Sequence, residues 1–151
     1  MGLLAFFPAF AYLLAILFIL HSVGVFPYCI DLPIFGGEII NYGQPDQVIK
    51  GYPIYVNASG QAWYPTWGMV IILFALVLLY WELLKSTYTS DLVSYDHALS
   101  TVVFIIYFGV WLTQPWAGNS LFLTLTLMAL LDVIAGFTIS ITAARRDVSV
   151  G

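Results

Sequence analysis

Residues 121–143 read LFLTLTLMALLDVIAGFTISITA. A helix rises ~1.5 Å per residue, so this run is long enough to cross a hydrocarbon layer of ~30 Å, and nothing in it is charged except Asp132. Three further apolar runs precede it: Leu3 to Val23, Trp67 to Leu84, and a third from Ala98 to Thr113. The third reaches spanning length only by taking in His97, Gln114 and Trp116 at its ends, which are acceptable interface residues. Pro8 falls in the early turns of the first run, where a proline is better tolerated than at the centre.

The expected fold is therefore an all-α integral membrane protein. It forms a single membrane domain over 1–151, a bundle of four transmembrane helices at about 3–23, 67–84, 98–115 and 121–143. Composition agrees with this reading. Of 151 residues, 62% are hydrophobic and 8% charged, against roughly half and a quarter in soluble domains. A soluble core of this size cannot absorb that excess, so lipid is the expected solvent. A net charge of −4 with four basic residues excludes the usual electrostatic footprint of nucleic-acid binding.

The long connection, 24–66, holds five of the seven prolines and cannot be a further span. Its segments Ile39 to Tyr42 and Tyr52 to Val56 are β-prone, and the turn cluster Asn57 to Gly60 precedes Gln61 to Tyr64, so a small β-hairpin on the membrane surface is expected. Trp63, Tyr64 and Trp67, and Trp116 in the last short turn, fit the interfacial belt of aromatic anchors. Lys85 in the second connection and Arg145 and Arg146 after the last run stand against Lys50 in the long connection. The positive-inside rule then places both termini in the cytoplasm and the connection 24–66 outside, in a multi-pass protein of the cell membrane, most simply a bacterial inner membrane. No Lys or Arg precedes the first run, which is too long for a signal-peptide core and reads as a retained helix.

Asp132 is the residue singled out for chemistry. A carboxylate at the middle of a span costs about 2.5–3.5 kcal/mol on insertion scales, so it needs a partner or a proton. Thr124, Gly136 and Ser140 lie on its helical face, as small and hydroxyl residues that favour close helix packing. Tyr12 and Tyr107 fall near the midpoints of the first and third runs, and by depth alone they form an expected polar layer with Asp132. Glu82 and Lys85 read as boundary residues that can pair at i,i+3, and Asp96 and His97 as the start of the third helix, with the acid at its N-terminus.

One cysteine, Cys29, excludes an internal disulfide, and His21 with Cys29 makes two potential metal ligands lacking a third. No nucleotide-binding glycine loop, paired-histidine motif, nucleophile elbow or Cys-x-x-Cys is present, so neither catalytic residues nor a cofactor or metal is expected. The expected function is a non-catalytic accessory or structural subunit of a membrane assembly, its partners the bilayer and other subunits or copies of itself. The alternative is a homo-oligomeric transporter or channel with Asp132 as its proton or ion site.

Overall fold

The computed structural model describes residues 7–35, 37–40, 48–51, 55–60, 62–87 and 91–149. They are mostly helical, in four helices: α1 (Ala9–Ser22), α2 (Trp67–Ser86), α3 (Asp91–Thr113) and α4 (Ser120–Ser149). Three of these are long and apolar enough to cross a membrane, at Trp67–Ser86, Tyr95–Thr113 and Ser120–Thr142. The helix of the first run has 14 residues, about 21 Å of rise. Pro8 stands before it as its N-cap, in extended backbone, rather than within its early turns. Proline fixes its own φ and lacks an N–H, which suits a position just outside the first turn.

Local chemistry sets the helix ends. Gly24 closes α1 at φ +77, with Val25 N–H donating to Leu20 O at 2.9 Å and Gly24 N–H to His21 O at 3.0 Å. This is the Schellman arrangement, and a residue carrying a Cβ is strained at that φ. At the start of α2, Trp67 N–H donates to Leu32 O (3.1 Å) and Gly68 N–H to Ile30 O (2.8 Å), while Thr66 Oγ1 accepts from Met69 N–H (3.4 Å). Backbone from the long connection thus occupies the donors that a helix N-terminus leaves unpaired. The approach is close enough that a Cβ on Gly68 would stand 2.7 Å from Ile30 Cγ2 and 2.9 Å from Ile30 O. Helix α3 ends where Pro115 removes the next donor, and a 3-10 turn, Pro115–Ala117, leads to Asn119. The Asn119 side chain accepts from Phe122 N–H at 2.9 Å and so caps α4.

Successive helices run in opposite directions. Ala9 at the start of α1 meets Glu82 near the end of α2, Lys85 meets Asp96 on α3, and Trp116 after α3 stacks on His21 at the end of α1. Helix α4 packs against α2 and α3, and α1 closes the opposite side against the same two. The core takes Phe10, Leu13, Leu14 and Leu17 from α1, Ala75 and Leu79 from α2, Val103 and Tyr107 from α3, and Leu121, Phe122, Leu125 and Ala129 from α4. These are the three- and four-residue spacings of one helix face. Leu73, Phe74, Val77, Tyr80 and Trp81 of α2 point outward, Trp81 with 66% of its surface exposed. An outside as apolar as the inside is what a lipid solvent requires.

Within the long connection, β1 (Gly37–Ile40) pairs antiparallel with β2 (Val48–Gly51), with Glu38 opposite Lys50. Likewise β3 (Tyr55–Val56) pairs with β4 (Ala62–Trp63) across the turn at 57–60. Residues 41–42 and 52–54 of the β-prone segments lie outside the described residues.

Candidate functional site

Helix α1 begins with no side-chain cap of its own. The missing acceptor comes from another helix: Glu82 Oε1 accepts from Ala9 N–H. A carboxylate against the positive end of a helix is favourably placed on electrostatic grounds. Its second oxygen, Oε2, lies 3.0 Å from Lys85 Nζ, one turn along α2. Lys85 Nζ also lies 2.8 Å from Asp96 Oδ1 on α3, a second ion pair. A single ammonium therefore joins two carboxylates from different helices, and the first of those carboxylates ties in a third helix.

The fourth helix enters through Asp132. Its carboxylate is paired with the Ser100 hydroxyl on α3 and stands within electrostatic reach of Glu82, Asp96 and Lys85. Beside it, the His97 ring lies directly against the backbone of Gly136, one turn beyond Asp132 on α4. A Cβ at Gly136 would collide with the imidazole, so the glycine is what admits this side chain between the helices. His97 Nε2 is buried and has no hydrogen-bond partner. The group is enclosed: Glu82 and His97 are each 3% exposed and Asp132 5%, with Ser86, Asp96 and Ser100 also buried.

Glu82, Lys85, Asp96 and His97 are thus not solvated boundary residues. Asp96 does not begin its helix either, because α3 starts at Asp91, a turn and a half earlier. Sequence reading placed these four at span ends, where charge normally meets headgroups. Their two helices converge instead, and the side chains turn inward to one another. The i,i+3 spacing of Glu82 and Lys85 and the small residue four positions after Asp132 were the available signals.

The two tyrosines expected beside Asp132 are seated elsewhere. Tyr107 donates its hydroxyl to Phe10 O at 3.2 Å, in an apolar setting with Phe10 and Phe122 around its ring. Tyr12 is 40% exposed and makes an edge contact with Phe7. Of the packing residues, Gly136 receives His97, Ser140 is half-buried, and Thr124 bonds back to Ser120 O at 2.8 Å. Thr124 also lines a cavity of about 140 Å³ with Ile30, Thr66, Gly68, Ser120 and Leu121, at the end of the bundle away from the ionic group.

Among the expected anchors, Trp63 and Trp67 are exposed, Tyr64 is half-buried, Arg145 is exposed, and the side chain of Arg146 lies outside those described. Trp116 does more than face an interface. It stacks on His21 at 4.3 Å and meets Phe18, Phe26 and Phe122 edge-on at 5.4–5.5 Å. His21 Nδ1 is 3.4 Å from Phe26 O. Among the described residues no three His, Cys, Asp or Glu side chains are arranged to hold a metal ion.

Compared with protein-family models, with curated proteins and with solved structures, the chain shows no match.

Proposed function

We propose that this chain is a non-catalytic membrane subunit, an accessory or structural component of a larger membrane assembly. The observation that carries the reading is where its polar side chains go. Glu82, Lys85, Asp96, Ser100 and Asp132 engage one another and the start of α1. The 140 Å³ cavity contains no acid or base and is too small for most substrates. The described polar chemistry thus holds four helices together, and the large apolar outer face of α2 is free to meet lipid or other subunits.

In this proposal α1 is the fourth crossing, since it runs from the level of Glu82 at one end to that of Trp116 at the other. Lys85, Arg145 and Arg146 put the Glu82 end, with both termini, in the cytoplasm of a bacterial inner membrane. The connection 24–66 is then outside, its paired strands on the membrane surface and Trp63, Tyr64 and Trp67 at headgroup depth.

A second reading has a specific observation behind it. Two buried carboxylates share one ammonium and a third, Asp132, has no ion-pair partner of its own, an imbalance that suits a small homo-oligomeric transporter or channel with Asp132 as its proton or ion site. Native mass spectrometry of tagged wild type and Asp132→Asn from mild detergent separates the two. Co-purifying polypeptides of other sequence support the subunit reading. A wild type that carries only copies of itself removes that reading, and the transporter reading then requires flux in liposomes that Asp132→Asn lacks while it stays assembled.

A further inference from the structure

Counting charge inside the Glu82 end leads to a ligand. Glu82, Asp96 and Asp132 are acids and Lys85 is the ammonium between the first two. From α1 the group receives the Ala9 N–H, a dipole end and not a charge. Helix α2 presents Glu82, Lys85 and Ser86, helix α3 Asp96, His97 and Ser100, and helix α4 Asp132 above the bare backbone of Gly136. With all three acids ionised, two negative charges on buried side chains have no counter-ion, a state that buried groups avoid by changing protonation. A metal ion is not the remedy, because no three of the described ligand side chains are arranged around one.

The proton has two resting places within the group. Asp132 is not paired with Lys85, and its neighbour Ser100 is a hydroxyl, which can accept from a carboxylic acid as well as donate to a carboxylate. His97 Nε2 is enclosed, unpartnered, and carried on a ring within electrostatic reach of two acids, Asp96 and Glu82, and of one cation, Lys85. A ring nitrogen buried with no partner is a group kept for something.

We propose that the group formed by Glu82, Lys85, Asp96, His97, Ser100 and Asp132 is a proton-binding site, with Asp132 and His97 as its two acceptors. For its use in the cell the inference rests on the transporter reading; for its chemistry it does not. Uptake of a proton at Asp132 turns Ser100 from donor to acceptor, and uptake at His97 adds a second cation facing Asp96 and Glu82. Either step removes uncompensated charge without moving a helix.

The test uses the full chain in lipid nanodiscs. Infrared difference spectra between about pH 5 and about pH 8, the range in which an imidazole changes charge, report any protonated carboxyl. The chain has two histidines, so ¹⁵N-histidine labelling gives two imidazole signals, and His97→Gln identifies which is His97. The expected result is a carboxylic-acid band that shifts in D₂O, that Asp132→Asn abolishes, and whose pH midpoint moves in His97→Gln. A band absent throughout this range, or one unchanged in Asp132→Asn, overturns the site. Where Asp132→Asn fails to fold, Ser100→Ala replaces it: every charge is kept, and the band must move in frequency as its hydroxyl partner is lost. An unmoved band there overturns the site as well. Dye-monitored proton flux in liposomes tests the transporter reading separately. Binding without flux keeps the site and removes the transporter, and flux without the Asp132 band does the reverse.

Discussion

The two ends of the bundle are closed by opposite means. At the Trp116 end, rings from α1, α4 and the two connections pack edge to face, and the backbone of the long connection satisfies the first donors of α2. At the Glu82 end, four acidic or titratable side chains and two serines are buried between the helices, with Lys85 half-buried beside them. Aromatic packing is a sum of many small terms and weakens in proportion to what is removed. A buried ionic group behaves differently. Each member is tolerable only while the others remain, so removal of one strands the rest. The comparison predicts a graded end and a brittle end.

The most direct way to break that contrast is at the brittle end. Lys85→Ala leaves Glu82 and Asp96 without their shared cation and should cost about 3–5 kcal/mol, read from reversible unfolding in detergent micelles. Adding Glu82→Gln and Asp96→Asn to Lys85→Met should recover most of the loss, because the uncompensated charges go too. A loss below about 1 kcal/mol, the ordinary value of an exposed pair, would mean the group is not enclosed. At the graded end, Trp116→Ala should cost about 3 kcal/mol, and Trp116→Phe distinctly less. If the two cost the same, ring packing is not what closes that end.

Each end also has one glycine at a close approach, which sharpens the comparison at equal chemistry. Gly136→Ala drives a methyl into the His97 ring, and Gly68→Ala drives one into Ile30. Overpacking of this kind costs about 1–3 kcal/mol. The expected difference lies in repair. His97→Ala should rescue Gly136→Ala, whereas no side-chain truncation fully rescues Gly68→Ala, because the Ile30 carbonyl is backbone. The unfolding midpoints of the single and double variants decide this.

The smallest effect concerns Cys29 in the connection near the Trp116 end. Burial pushes its thiol up, so folding favours the protonated form. That contribution is complete below the pH at which the unfolded chain's thiol ionises, and is lost as pH rises through the folded value. Maleimide labelling should therefore reach half its maximal rate at higher pH in the folded protein than in the denatured one. Coincident profiles would show that the thiol is as open as a free cysteine.

How much of this was legible in the sequence differs between the same two ends. Three apolar helices and the oddity of Asp132 follow from hydropathy, which is a sum over neighbours in sequence. Ser100 and His97 as companions of Asp132 do not, because which helix faces which is settled by packing between segments more than thirty positions apart. Hydropathy also assigns Glu82, Lys85, Asp96 and His97 to water, since charges near a span's end usually meet headgroups. The helix starts α1 and α3 moved for local reasons: Pro8 fixes where the first turn begins, and α3 reaches back to Asp91. Trp116 looked like an interface anchor because composition cannot distinguish a ring at a surface from one stacked inside it.

The contact between Glu82 and the start of α1 also carries a consequence for biosynthesis. Ala9 and Glu82 are 73 positions apart in the chain, and protein emerges from the ribosome in order. The first helix is therefore made before the acceptor of its Ala9 N–H, which stays unmatched until α2 follows. Glu82 in turn arrives with Lys85 but ahead of Asp96, and Asp132 comes later still. The buried group acquires its charges as a cation with one acid, then two, then three, and its excess of acid is complete only when the last helix has joined.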